Sequence, residues 1–441
     1  MHILLLPSIA VLATILEIAA ALSHHVEEAK HCSWSPLLGR QDQLTCAAPR
    51  PKEQTQPTVD WKVEIPELWD EHGERYLPPK AYKLAPPWVG PEQCFTEFCL
   101  FSNRDAGQGM ALVTTARNAY LTAHYPAPPA SGVEPTAFYE EEVPGKGIGL
   151  IANRKIRKGE IIMQRVPALL IQDTVHMDLD PEVREQLYQT AVDRLPEATQ
   201  ERFLRQMGNT LFDKVEKNAF RMFVDGDHKH SLHLGVLPEV SRFNHDCRPN
   251  VHYRIANLTH TTIAVRDILP GEELTISYIY PQVPKSERQS RLREWGFVCT
   301  CSQCTLPPSE SSASDNRIRQ IKQLEEEIEA IMARGPGGEG LRPEMGGKLV
   351  ELYLQERLHA YLGPTYTRAA LIYSMFGNEQ RAREYAREAV GALEREVGPH
   401  ARDLESMRRL AEDPRGHWSW GIKVTSGRAE VGRNKTDARG K

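Results

Sequence analysis

The sequence lacks a charge bias: 54 Lys and Arg stand against 59 Asp and Glu, a formal net charge of −5 over 441 residues. That balance excludes a strongly basic nucleic-acid binder. The glycine turn Gly145-Lys-Gly-Ile-Gly149 matches neither the G-x-G-x-x-G nucleotide fingerprint nor a Walker loop. One long apolar run occurs, Ile3 to Leu22, which excludes a polytopic membrane protein. Cysteine is sparse, at 8 residues, so disulfides alone do not build this fold. Proline and glycine are plentiful, at 31 and 30, and announce long connecting segments. The remainder, 40% hydrophobic and 26% charged, is that of a soluble globular protein with a sizeable core. At roughly 100–200 residues per domain, the length suggests two to four units.

The Ile3–Leu22 run is broken only by Pro7, Ser8, Thr14 and Glu17. With Ala21 and Ser23 flanking Leu22, residues 1–23 read as a secretory signal peptide or an N-terminal anchor. Glu17 is costly at a bilayer centre. Cys32, Cys46, Cys94 and Cys99 form an even set compatible with two disulfides in an oxidising compartment. Cys247, Cys299, Cys301 and Cys304 are different, since three of them fall within six residues. Spacing that tight favours a metal over a disulfide. Leader and metal-type cysteines therefore point to different compartments: secretory pathway or membrane for one, nucleus or cytoplasm for the other.

Residues 24–137 read as an irregular region containing Cys, Pro and Trp, with one strand over Gly109–Thr115 and a Pro/Ala/Gly linker at Pro126–Pro135. Short strands with glycine turns follow from Phe138, at 149–152, 160–164 and 168–171. Apolar positions from Pro181 to Phe223 recur at three- and four-residue steps, giving a helical insert over about 173–236. Strands return at 250–255, 261–265 and 273–278. A Ser/Pro-rich linker is expected over 305–317. A helical region over 318–412 contains one hairpin of tetratricopeptide type at 369–389, and a disordered basic tail occupies 413–441.

Four blocks carry chemistry. Pro144-Gly-Lys-Gly-Ile-Gly-Leu150 reads alone as a hairpin turn whose glycines let backbone approach a ligand. Ser241-Arg-Phe-Asn-His-Asp-Cys-Arg-Pro-Asn250 offers Asn244 and His245 to a polar ligand, with Pro249 forcing an extended turn. Gly271-Glu-Glu-Leu-Thr-Ile-Ser-Tyr278 reads alone as a half-buried strand ending in a packed tyrosine. Trp295-Gly-Phe-Val-Cys-Thr-Cys-Ser-Gln-Cys304 supplies three thiolates, one short of a closed tetrahedral zinc site, and Cys247 is the remaining cysteine of the middle unit.

Together, and in this order, the blocks resemble the SET-domain family of protein lysine methyltransferases. Gly145–Gly149 looks like the family's opening Gly-x-Gly segment, and Asn244-His-Asp-Cys-Arg-Pro-Asn250 like its Asn-His-x-Cys-x-Pro-Asn signature. Glu273–Tyr278 resembles its closing Glu-Leu-Thr-x-x-Tyr strand, and Cys299-x-Cys-x-x-Cys304 its post-SET zinc motif. The resemblance covers about residues 138–304. It implies a mainly β, pseudoknot-like SET domain over 138–284 with the helical insert, a post-SET zinc segment over 285–304, and an all-α C-terminal region. That last feature resembles the SET-and-MYND branch, but no MYND finger interrupts the domain, so partner binding through one is not supported.

The resemblance further implies S-adenosylmethionine as methyl donor, a structural Zn2+, and a lysine-bearing protein as substrate, a histone among the candidates. No direct DNA binding is expected, and contact with a membrane only if the leader is uncleaved. Backbone groups of Lys146, Gly147, Ile148 and Gly149 would hold the cofactor's methionine end. Asn244 and His245 would take its amino group and adenine edge, and Phe297 would pack on the adenine. Tyr278 matches the catalytic tyrosine, and Cys247, Cys299, Cys301 and Cys304 the zinc ligands. Two rival readings belong to other classes: a catalytically silent SET-like scaffold that binds a partner, and a secreted disulfide-containing interaction protein. In the second, Asn257-Leu-Thr and Asn434-Lys-Thr would be glycosylation acceptors.

Overall fold

A computed structural model describes residues 84–125, 137–224, 231–334 and 339–424, with one two-residue ladder between Leu68–Trp69 and Arg75–Tyr76. All of these lie within one compact unit spanning Ala48–Lys441. The apolar run at 3–22, Cys32, Cys46, the 126–135 linker and Asn434 lie outside the described residues. Among the described residues, no helix is long and apolar enough to cross a membrane.

Strands β1 (Val89–Phe95), β2 (Phe98–Asn103) and β3 (Met110–Thr115) form a meander that ends in helix α1 (Ala116–Ala123). Over 84–125 this corrects the expectation of an irregular region, while the strand expected at 109–115 is present as β3. The signal is the short apolar run Phe98-Cys-Leu-Phe101, and every residue of β2 is buried, as befits a strand covered on both faces. Cys94 and Cys99 are joined by a disulfide across the β1–β2 turn. A parallel pairing of β3 with β7 (Leu169–Gln172) brings the meander against the later strands.

Strands β4 (Phe138–Val143), β5 (Gly147–Ala152) and β6 (Ile161–Arg165) precede β7. Helices α2 (Asp173–Asp178), α3 (Pro181–Asp193), α4 (Glu197–Leu204) and α5 (Leu211–Asn218) follow it. α5 starts with a reciprocal capping box between Thr210 and Asp213. The helical insert stops at Asn218, short of the expected 236. Strands β8 (Ala219–Phe223) and β9 (Leu232–Val236) pair antiparallel and complete a six-stranded sheet in the order β8-β9-β7-β3-β2-β1. Period-two burial decides the matter, with Arg221 exposed and Met222 buried against Gly235.

The remaining strands are β10 (Asn244–His245), β11 (Val251–Ala256), β12 (Thr259–Ala264) and β13 (Glu273–Ile276). β11 and β12 form a hairpin closed by Asn257 and Leu258, both at positive φ (47° and 61°), as a two-residue type I′ turn requires. β12 also pairs with β6. β10 lies parallel to β13, in a sheet ordered β10-β13-β5-β4. The hairpin thus lies between β10 and β13 in sequence but joins β6 in a separate three-stranded sheet, which leaves β10 and β13 to pair directly.

α6 (Lys285–Leu292) leads into the cysteine segment, and the C-terminal region is α7 (Pro308–Met332), α8 (Pro343–Gln355), α9 (Leu362–Met375), α10 (Glu379–Glu396) and α11 (Leu404–Glu412). These helices share one core, which α10 enters with Ala382, Ala386, Ala389 and Ala392. The linker expected at 305–317 is mostly helix: Pro308 sits at the first turn of α7, where its fixed φ and missing N–H are no burden. The tail expected from 413 is also ordered as far as 424, with Ser419 buried and donating to Ser374 at 2.8 Å. Residues 425–441 are outside the described ones. α9 and α10 form a helical hairpin, and α10 touches the strands where Arg254 donates to the carbonyls of Glu394 and Arg395.

Candidate functional site

The turn from β4 to β5 carries Gly145 and Gly147 at φ of 74° and 77°, and Lys146 N–H closes it on Val143 O at 2.9 Å. Lys146 Nζ meets Glu273 Oε2 at 2.5 Å, and Asn244 Nδ2 donates to Glu273 Oε1 at 2.9 Å. One carboxylate on β13 therefore gathers the lysine of the turn and the amide of β10. Gly149 makes this approach feasible: a Cβ there would lie 2.8 Å from Asn244 Nδ2 and 3.0 Å from Glu273 Oε1.

Asn250 fixes the register. Its Nδ2 donates to Glu273 O at 2.9 Å, and its Oδ1 accepts from Thr275 N–H at 2.9 Å. A side chain three residues beyond Cys247 thus replaces a ladder partner of β13. Phe243, fully buried beneath β10, anchors the same loop, contributing about 1.5–3 kcal/mol of burial.

His245 is 4% exposed. Its Nδ1 accepts from the Tyr278 N–H at 3.1 Å, which leaves Nε2 to carry the proton and point it at Cys247 Sγ, 3.3 Å away. Burial brings its pKa down to about 4, so the ring is neutral. The Tyr278 hydroxyl donates to Phe243 O at 2.8 Å, and burial pushes the phenol up, so it keeps its proton. Around Tyr278 stand His245, Trp295 and Phe297, with ring centroids 5.4, 5.9 and 6.4 Å away.

Phe297 is carried by the cysteine segment, after Gly296 in the left-handed region (φ 82°). The Sγ atoms of Cys247, Cys299, Cys301 and Cys304 all lie within 4.8 Å of one another, and all four residues are buried. Cys247 and Cys304 sulfurs are 3.6 Å apart, close to the roughly 3.8 Å edge of a tetrahedron with Zn–S bonds of about 2.3 Å. Hydrogen bonds from Cys247 and the other two thiols, with Arg288 beside them, hold Cys304 far below the usual thiol range. The four-thiol donor set and its geometry fit a divalent metal. Gln289 clamps the segment from α6, donating to Cys299 O at 2.8 Å and accepting from its N–H at 3.0 Å.

The structure thus gathers Lys146, Gly149, Asn244, His245, Tyr278 and Phe297 around β5, β10 and β13, and brings Cys247 to the other three cysteines 52 or more residues later. Ile148 is 40% exposed. Glu273, Trp295, Arg288 and Gln289 were not foreseen as site residues. Glu273 and Trp295 lay within the four blocks, but nothing in the sequence tells which side chains a strand glutamate will collect.

A parallel pair of short strands separated in sequence by a hairpin, a glycine turn facing an Asn-His pair, and a tyrosine beside a four-cysteine cluster fit a SET-type fold. Residues 147–279 match the family model described as SET domain, and the chain carries a SET domain. Over 286 residues it is 29% identical to the histone-lysine N-methyltransferase set5 of Schizosaccharomyces pombe, covering 62% of this chain and 83% of that protein. It is 33% identical over 124 residues to the N-lysine methyltransferase SMYD2-B of Danio rerio, covering 28% of each chain. Over 110 residues it is 34% identical to the Homo sapiens N-lysine methyltransferase SMYD2, covering 24% of each. The match to the SMYD2 proteins thus spans only about a quarter of their length.

Proposed function

We propose that this chain is an S-adenosylmethionine-dependent protein lysine N-methyltransferase, with a lysine-bearing protein, histone or non-histone, as substrate. One observation carries the reading: the parallel pairing of β10 with β13 puts buried Asn244 and His245 and half-buried Tyr278 in one cluster beside the Lys146 turn. The residues present fit the cofactor, since the missing Cβ of Gly149 leaves backbone open beside a lysine ammonium and an amide that share the Glu273 carboxylate. Lys146, Asn244 and the 147–149 backbone would hold its amino-acid end, and His245 and Phe297 would flank its adenine. When bound, S-adenosylmethionine supplies an electrophilic methyl group on a sulfonium.

The chain's own residues do the rest by positioning. A lysine entering beside Tyr278, Trp295 and Phe297 meets a largely apolar wall, which disfavours the ammonium and favours the amine with its free lone pair. Tyr278, protonated and held on the Phe243 carbonyl, presents a fixed dipole at the reacting atoms, where preorganisation gives electrostatic stabilisation its value. His245, neutral and held between Tyr278 N–H and Cys247, orients rather than moves a proton. Cys247, Cys299, Cys301 and Cys304 would hold a structural zinc that closes the Phe297 segment on the Asn244–Cys247 loop.

The test is calorimetric titration of the full chain with S-adenosylmethionine, with metal content measured on the same sample, followed by transfer of labelled methyl to histone and non-histone proteins. Micromolar or tighter binding, about one zinc per chain and lysine-borne label are expected. A folded, zinc-loaded protein that binds no cofactor would move the reading to a silent scaffold.

A further inference from the structure

The loop that carries Asn244, His245 and Cys247 is tied to the C-terminal helices through a buried carboxylate. Glu356, at the end of α8, has a fully buried side chain, as has Arg248, the residue after Cys247, at 1% exposure. Arg248 Nη2 donates to Glu356 Oε2 at 2.5 Å. The same guanidinium donates through Nη1 to Cys247 O at 2.7 Å and reaches Pro281 O at 3.4 Å. It therefore spans the Cys247 loop, the segment following Tyr278, and α8. Glu356 also accepts from Ser314 Oγ at 2.8 Å and from Arg317 Nε at 2.7 Å, both on α7. Ser314 in turn accepts from Gln303 Nε2 at 2.6 Å, and Gln303 is the residue before Cys304. Both arms of the cysteine cluster, the Cys247 side and the Cys304 side, thus converge on one carboxylate.

Stability does not account for this arrangement. A buried ion pair often contributes no more than apolar residues of the same volume would. What it does supply is direction: a planar guanidinium with fixed donors holds three carbonyl or carboxylate partners in one relative orientation. We infer that Glu356 is a positioning residue, which through Arg248 and Ser314 sets the relative placement of Cys247 and Cys304 and thereby the cofactor-facing loop. This rests on the metal and cofactor reading proposed above. The helical C-terminal region is, on this inference, part of the site's framework rather than an appended module.

The experiment uses the zinc-loaded full chain and measures the rate of zinc release to a chromogenic chelator, the ligand-field spectrum after cobalt substitution, and S-adenosylmethionine affinity. Three variants are compared: Glu356→Gln, the apolar double variant Arg248→Met/Glu356→Met, and Glu325→Gln. Glu325 is a control of the same kind, a buried carboxylate paired with Arg368 and Tyr353 but without contact to the cysteine loop. Release 10-fold or more faster in Glu356→Gln and in the double variant is expected, the size outer-shell changes produce, with an altered cobalt spectrum and weaker cofactor binding. Glu325→Gln should release zinc at the parent rate even if its melting temperature falls. If Glu356→Gln does not fold, the double variant, which leaves only the part-exposed Arg317 without its carboxylate, decides. Parent-like release from the folded double variant, or equal acceleration in Glu325→Gln, would overturn the inference. A parent chain that holds zinc but binds no cofactor would fail the methyltransferase reading while the zinc comparison still decides the role of Glu356; a parent that holds no metal would overturn both.

Discussion

Tyr278 and Gly149 contribute to the site in opposite ways, one by what its side chain holds and one by having none. The Tyr278 hydroxyl has a single protein acceptor, Phe243 O, so Tyr278→Phe removes one hydrogen bond and leaves the ring packing intact. A stability loss of about 1 kcal/mol is expected, against a fall in methyl transfer of about 100-fold or more. Thermal melting and labelled-methyl assays on the same sample would separate the two, and undiminished transfer would remove Tyr278 from its proposed role. In Gly149→Ala the new methyl would sit 2.8 Å from both Asn244 Nδ2 and Val143 Cγ2. The Asn244–Glu273 contact must open, so cofactor affinity should fall about 10-fold or more, a loss of about 1.4 kcal/mol, with the six-stranded sheet untouched.

At the scale of elements, the cysteine segment has little regular structure of its own and owes its shape to its fastenings. Gln289 clamps Cys299 from α6, and four sulfurs close the other side. Cys301→Ser, or exhaustive chelation of the parent, should therefore release the metal and loosen Phe297, weakening cofactor binding more than it lowers the melting temperature. Titration after chelation, with and without zinc added back, checks this, and restored binding on add-back is the expected outcome. The same scale shows where composition misleads. Pro307 and Pro308, with Ser311, Ser312 and Ser314, look like a linker, yet proline is welcome in a helix's first turn and Ser314 is buried in a hydrogen-bonded role.

Over the whole molecule, two buried groups give stability opposite pH slopes. His233, held between Thr114 and Ser231, has its pKa pulled by burial to about 4 from an ordinary 6.5. The unfolded chain binds that proton first, so stability is lost as pH falls from 6.5 towards 4, by about 1.4 kcal/mol per unit for this group. Glu396 is raised by burial to about 7 from 4.5, against the pull of the Leu362 and Gly363 N–H groups that it accepts. Here the folded state holds the proton, so its contribution is present below 4.5 and is lost as pH rises through 7. Denaturant unfolding between pH 4 and 8 should show Glu396→Gln flattening the upper limb and His233→Gln the lower. A pH profile unchanged in both variants would remove these two groups as its source.

The sequence by itself determined the chemistry and its order. The glycine turn, Asn244 and His245, Tyr278, Phe297 and the four cysteines are short local patterns, legible in order without any knowledge of their neighbours. It also determined the helical C-terminal region, because long stretches at helical spacing depend on few neighbours. Tertiary structure alone decided what holds those patterns together. The burial of β2 on both faces, the joining of β8 and β9 to the six-stranded sheet, the collection of Lys146 and Asn244 by Glu273, and the convergence of Arg248, Ser314 and Arg317 on Glu356 all pair residues far apart in the chain. A carboxylate in a strand or at a helix end looks alike in sequence whether it faces water or a guanidinium. Only the closing of the chain around it, and the loss of its solvent, makes the partner obligatory.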